Sequence, residues 1–112
     1  MEEREKLVSK INSALDRIER KNSYKVKGKD LKEIFNYLLR IKDSIEASNL
    51  PKEEKNVYKS RIYQVLKCNQ YNLEKVSEQV ARKGLKDVCF CLKEIAVTLE
   101  KNSYVKVKST SK

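Results

Sequence analysis

The sequence predicts an all-α fold, a single-domain bundle of about five helices. Two observations support this prediction. Long segments place apolar residues at intervals of three and four, which is the spacing of one helix face. The chain has 112 residues, which falls in the range of a single domain with one core. Residues 1–108 are predicted to form the domain and residues 109–112 a frayed tail.

The first predicted helix runs from about Glu2 to Lys21. Acidic residues are concentrated at its start and basic residues at its end, the order that complements the helix dipole. Its apolar stripe consists of Leu7, Val8, Ile11, Ala14, Leu15 and Ile18.

The second predicted helix begins at Asp30, which is placed to cap it with Glu33 three residues later, and ends near Ser48. Its apolar stripe is Leu31, Ile34, Phe35, Leu38, Leu39, Ile41 and Ile45. Pro51 suits the first turn of a third helix that extends to about Cys68. The apolar side of this third helix is Val57, Tyr58, Ile62, Val65 and Leu66, and its opposite side carries Lys52, Lys59, Tyr63 and Lys67.

Asn72 is predicted to cap a short fourth helix that ends at Gly84. A fifth helix, from about Leu85 to Lys101, carries the stripe Leu85, Val88, Cys89, Leu92, Ile95, Ala96 and Leu99. Phe90 and Val97 lie on a second side, so this helix is predicted to be central or shared with a partner chain. A helix-turn-helix with Gly84 in the turn is disfavoured, because the recognition helix would be apolar and negatively charged.

The tetrapeptide Lys-Asn-Ser-Tyr occurs twice, at residues 21–24 and 101–104, and each copy continues into alternating lysine and valine. If the first and last helices pack in parallel, residues 23–27 and 103–107 can pair as a two-stranded ribbon. Irregular extended tails are the alternative. The recurring Asn is explained by its tolerance of the left-handed conformation that ends helices.

The net charge is +10, from 26 basic and 16 acidic residues, and favours polyanionic partners. Residues 24–30 contribute +2, residues 51–68 contribute +3 and residues 101–112 contribute +4. Lysines attract phosphates without reading sequence, and exposed tyrosines offer faces for unpaired bases. The predicted nucleic-acid-binding residues are Lys25, Lys27, Lys52, Lys59, Tyr63, Lys67, Lys106, Lys108, Tyr24 and Tyr104. The alternative is that the lysines only confer solubility and the tyrosines lean over the edge of the core.

Catalysis is not predicted. The chain has no histidine and no glycine-rich phosphate loop, so no catalytic, cofactor or metal residues are assigned. Three cysteines without framework spacing indicate core or boundary residues and a cytoplasmic or other reducing intracellular compartment. No secretory signal pattern or transmembrane segment is expected, and no helix has the composition for a membrane-surface role.

Two functions remain open. The first is a small basic protein that binds the phosphate backbone of DNA or RNA with little sequence specificity. Viral and plasmid DNA-binding proteins and small subunits of nucleoprotein complexes share this composition, which identifies no family. The second is a helical protein-protein adaptor or assembly subunit with no nucleic-acid role, which contacts a second copy or a protein partner through Phe90 and Val97.

Overall fold

The computed structural model describes residues 3–22, 26–69 and 75–110, which form four α-helices. They are α1 (Glu3–Asn22), α2 (Gly28–Ala47), α3 (Lys52–Cys68) and α4 (Glu78–Thr110). No strand occurs in these ranges, which confirms the all-α prediction. The prediction of about five helices is wrong, because the fourth and fifth predicted helices merge into α4. None of the described helices is long and apolar enough to cross a membrane.

Consecutive helices run antiparallel, so the fold is an up-down-up-down bundle. Late residues of α1 meet early residues of α2, since Lys21 Nζ lies 2.8 Å from Glu33 Oε2. Early residues of α1 meet late residues of α2, where Lys10 Nζ donates to Ser44 Oγ at 3.2 Å.

The last helix is antiparallel to both of its neighbours. Near the start of α4, Asp87 Oδ2 accepts a hydrogen bond from Asn69 Nδ2 at the end of α3, at 3.2 Å. Further along α4, Lys93 Nζ lies 4.0 Å from Glu19 Oε1 near the end of α1. The hypothesis that the first and last helices pack in parallel is therefore wrong.

The apolar stripes meet in one core that draws on all four helices. The largest fully buried side chains are Tyr58, Ile11, Ile18, Leu31, Ile34, Leu38, Ile45, Ile62, Leu85, Leu92, Ile95 and Leu99, and all of them belong to predicted stripes. Burying one such side chain contributes about 1.5–3 kcal/mol. Two residues of the predicted stripes lie on the surface instead, since Val57 is 47% exposed and Leu39 is 37% exposed.

The second helix begins earlier than predicted. Gly28 is its first residue, so Asp30 occupies the third helical position rather than the cap. The Asp30 carboxylate accepts a hydrogen bond from the backbone N–H of Lys27 at 2.9 Å. This interaction is the side-chain half of a capping box, and it satisfies a backbone donor just outside the helix.

Gly84 lies inside α4 and does not end a helix. A Cβ atom at this position would lie 2.9 Å from Leu31 Cδ1 and 3.1 Å from Asn69 Oδ1. The missing side chain lets α2 approach α4 closely, so Gly84 serves packing rather than termination.

The helix α4 starts after Ser77, whose Oγ accepts a hydrogen bond from the backbone N–H of Val80 at 3.2 Å. With a continuous helix through Gly84, the helix-turn-helix alternative is excluded.

The second Lys-Asn-Ser-Tyr copy continues α4 instead of leaving it. Residues 103–107 have helical backbone, so the predicted ribbon is wrong; residues 23–25 lie outside the described residues. Because α1 and α4 are antiparallel, the two copies belong to opposite ends of a bundle that measures 54 × 24 × 19 Å. The repeated sequence therefore does not create one basic site.

A buried polar network joins α1, α3 and α4 at the end of the bundle where α3 begins. The Arg4 guanidinium pairs with the Glu54 carboxylate, which also accepts a hydrogen bond from the Tyr58 hydroxyl. Asn102 Nδ2 lies 3.4 Å from the same hydroxyl oxygen. The second repeat's Asn thus contacts a buried tyrosine within a helix, which corrects the helix-ending explanation for this copy.

Candidate nucleic-acid interface

The predicted basic side of α3 is partly preserved on the surface. Lys52 and Lys67 are exposed, and Tyr63 is 53% exposed. Lys59 differs, because its Nζ lies 2.8 Å from Glu46 Oε1 of α2 and is largely compensated there. Lys52, Tyr63 and Lys67 therefore retain the exposure that the binding prediction requires.

A lysine from α2 completes this surface. Lys42 Nζ lies 5.4 Å from the centroid of the Tyr63 ring, within the range of a cation–π interaction. The contact restrains the ammonium group without removing its charge. Sequence reasoning missed Lys42, because no pattern within one helix shows which side of α2 will face α3.

Three lysines lie around Glu46 at the junction of α2 and α3. Glu46 pairs with Lys59, and its backbone carbonyl accepts a hydrogen bond from Lys55 Nζ at 3.0 Å. The hydrogen bond from Lys59 is the main reason why the pKa of Glu46 is lowered, and Lys42 and Lys55 add to the effect. The junction therefore keeps an excess of positive charge.

Lys27 and Lys52 lie near opposite ends of this surface. Lys27 precedes α2 and is exposed, at the end where α3 finishes with Lys67 in its last turn. Lys52 begins α3, about 22 Å from Lys67 along the helix axis at 1.5 Å per residue. We call Lys27, Lys42, Lys52, Tyr63 and Lys67 the α2–α3 surface.

The side chains of the five remaining predicted binding residues lie outside the described part of the chain. Tyr24 and Lys25 lie outside the described residues. Tyr104, Lys106 and Lys108 are on the helical backbone of α4, and their side chains lie outside the described part of the chain. Their roles remain predictions.

Phe90 and Val97 are exposed on α4, at 65% and 63%. They are seven residues apart and lie on one side of the helix, as predicted.

No protein family model, no curated protein and no solved structure matches this chain.

The cysteines differ in environment. Cys91 is buried and Cys89 is half-buried, in agreement with the prediction of core or boundary positions. Burial raises the pKa of Cys91 to about 11, which keeps it a neutral thiol near neutral pH. Cys68 is exposed, so the prediction is wrong for this residue.

Proposed function

We propose that the protein binds the phosphate backbone of nucleic acid through the α2–α3 surface, with little sequence specificity. The observation that supports this function is the exposed Tyr63, which has Lys42 of α2 at 5.4 Å from its ring and shares the outward side of α3 with Lys52 and Lys67. Lys27, Lys52 and Lys67 have no ionic partner among the described residues, and Lys42 is restrained by an aromatic ring.

Lysine ammonium groups suit this task because they act as point charges toward phosphate and do not read base edges. Tyr63 adds a surface on which an unpaired base can stack, an interaction worth about 1–3 kcal/mol. Single-stranded nucleic acid is therefore the form that uses both features of the surface.

The α2–α3 surface provides four lysines for phosphate contacts, because Lys59 is compensated by Glu46. Each contact contributes about −0.7 to −0.9 to the slope of log affinity against log salt concentration. The expected slope is therefore about −3 to −4.

The test is a salt titration of binding to labelled single- and double-stranded DNA and RNA by fluorescence anisotropy. The triple variant K42Q/K52Q/K67Q should bind more weakly and show a slope that is shallower by about 2–3. The control K75Q/K83Q/K86Q removes the same charge from residues 75–86 and should stay close to the unmodified protein. Equal losses in the two variants, or no binding of any probe at about 50 mM salt, would contradict the proposal.

A second candidate function is a helical adaptor or assembly subunit. The exposure of Phe90 and Val97 favours it, since both are large apolar side chains on one side of α4. The variant F90S/V97S should then abolish self-association or capture of a protein partner, as measured by sedimentation equilibrium across a concentration series. Sedimentation as a monomer at high concentration would argue against self-association.

A further inference from the structure

The charges of α1 are sorted onto two sides of the helix. Lys6, Lys10 and Arg17 line grooves toward α2. Glu5 and Asp16 line a groove that includes Glu100 of α4. Arg4 also lines this second groove, where it pairs with Glu54 of α3, so Lys6, Lys10 and Arg17 are the α1 cations that face α2.

The groove between α1 and α2 is basic at its centre. Lys10 and Arg17 from α1 and Arg40 from α2 line a space of about 420 Å³, and no carboxylate belongs to its described lining. Three serine hydroxyl groups accompany the three cations, from Ser9, Ser13 and Ser44. Cations and hydroxyl donors without an acid are the chemistry that holds phosphate oxygens.

Two of the cations are held by uncharged partners. Lys10 Nζ donates to Ser44 Oγ at 3.2 Å, and the Arg17 guanidinium carbon lies 5.8 Å from the centroid of the Tyr37 ring. These contacts restrict the side chains but leave their charges uncompensated. Because these side chains are already restrained, binding of an anion costs less of their conformational entropy.

Acidic residues lie at both ends of the groove and restrict the length over which it is positively charged. At one end the Tyr37 hydroxyl donates to Glu33 Oε1 at 2.7 Å, and Glu33 is neutralised by Lys21 at 2.8 Å. At the other end Glu3 and Asp43 line the adjoining groove. The uncompensated positive charge therefore covers a short length of α1 and α2.

We propose that the α1–α2 groove binds a chain of phosphate groups through Lys10, Arg17 and Arg40. Lys10 and Arg17 are about 10 Å apart along the helix axis. That length equals about three steps of 3.4 Å, the rise per phosphate of one strand along the axis of B-form DNA. The same chemistry is supplied by a nucleic-acid backbone or by a free linear polyphosphate. The nucleic-acid form rests on the proposed function, whereas the phosphate site itself does not.

The first test titrates inorganic tripolyphosphate into the full chain at low salt, by calorimetry and by NMR of the arginine Nε–H signals. The unmodified protein should bind, and the signals of Arg17 and Arg40 should shift. The variant K10Q/R17Q/R40Q should bind at least about tenfold more weakly, a loss of about 1.4 kcal/mol or more. The control K75Q/K83Q/K86Q removes the same charge away from the groove and should keep the original affinity.

A second variant distinguishes a loss of phosphate binding from a loss of folded structure. Ser13→Asp places a carboxylate in the groove at an exposed position, so the helix should remain intact while tripolyphosphate binding weakens. Ser60→Asp adds the same charge at an exposed position of α3 and should have a smaller effect. Circular dichroism of each variant confirms that the helices are retained.

A labelled single-stranded DNA distinguishes the two sources of phosphate. If the groove variant weakens both ligands, the groove binds a nucleic-acid strand. If it weakens tripolyphosphate alone, the groove binds a free polyphosphate, and the α2–α3 surface is judged separately by K42Q/K52Q/K67Q. The site is refuted if tripolyphosphate does not bind the unmodified protein, or if groove and control variants bind it equally well.

Discussion

Replacing Glu54 by glutamine should destabilise the protein by about 3–5 kcal/mol, because it leaves a buried guanidinium without its anion. The side chains of Arg4 and Glu54 are only 6% and 10% exposed, so water cannot take the place of the lost charge. Glutamine keeps the size of the side chain and an oxygen that accepts from Tyr58. The substitution therefore tests charge rather than packing.

Urea unfolding followed by circular dichroism measures the effect. At a denaturant slope of about 1–3 kcal/mol per molar, the midpoint should fall by more than about 1 M. The double variant R4M/E54M should cost less than E54Q, because no charge then remains buried. The control K59Q breaks a more exposed pair with Glu46 and should lower the midpoint much less than E54Q does. If E54Q lowered the free energy of unfolding by as little as K59Q does, the explanation by a buried, uncompensated guanidinium would be refuted.

The pH dependence provides an independent check. Burial acts to raise the pKa of Glu54, but hydrogen bonds donated by Arg4 and Tyr58 outweigh it, so the pKa lies below the usual 4.5. The carboxylate therefore contributes stability above pH 4.5 that is lost as the pH falls below this value. The stability difference between the unmodified protein and E54Q should shrink over the same range.

Two further outcomes follow from the packing of α3 and α4. With dithionitrobenzoate, Cys68 should react in the folded protein, and Cys91 only after unfolding, because Cys91 is buried and its pKa is raised to about 11; rapid native-state labelling of Cys91 would contradict this. Gly84→Ala should lose about 1 kcal/mol in urea unfolding, because overpacking against buried Leu31 costs about 1–3 kcal/mol and the helix-propensity gain is about 1 kcal/mol. In a Leu31→Ala background the same substitution should cost less, because only the contact with Asn69 Oδ1 remains; an undiminished loss there would show that crowding against Leu31 is not the cause.

The sequence by itself determined the helical class, the approximate ends of the first three helices and the largest side chains of the core, but its apolar stripes did not include the buried Val26, Ala81 and Cys91. Apolar spacing identifies the inward side of a helix without knowledge of its neighbours, which is why Ile11, Leu38 and Leu92 were all assigned correctly to the core. It also placed Phe90 and Val97 on a separate side of the last helix, where both are exposed.

The residue preferences used to predict helix ends gave the wrong result where a residue distant in sequence determines the local structure. Gly84 has the local character of a helix stop, but it lies inside α4 because Leu31 of α2 needs the space of the absent side chain. Asn102 has the local character of a helix end, yet it reaches Tyr58 from within a helix. Neither partner is close enough in sequence for a periodic pattern to show it.

The tertiary structure alone decided which charges share a surface. The antiparallel packing of α1 against α4 puts the two Lys-Asn-Ser-Tyr copies at opposite ends, so the repeat does not form one basic patch. Pairing across helices neutralises Lys59 and leaves Lys42 beside Tyr63. A charge count along the chain cannot show this, because electrostatic interaction depends on distance in space and on which neighbour each helix side meets.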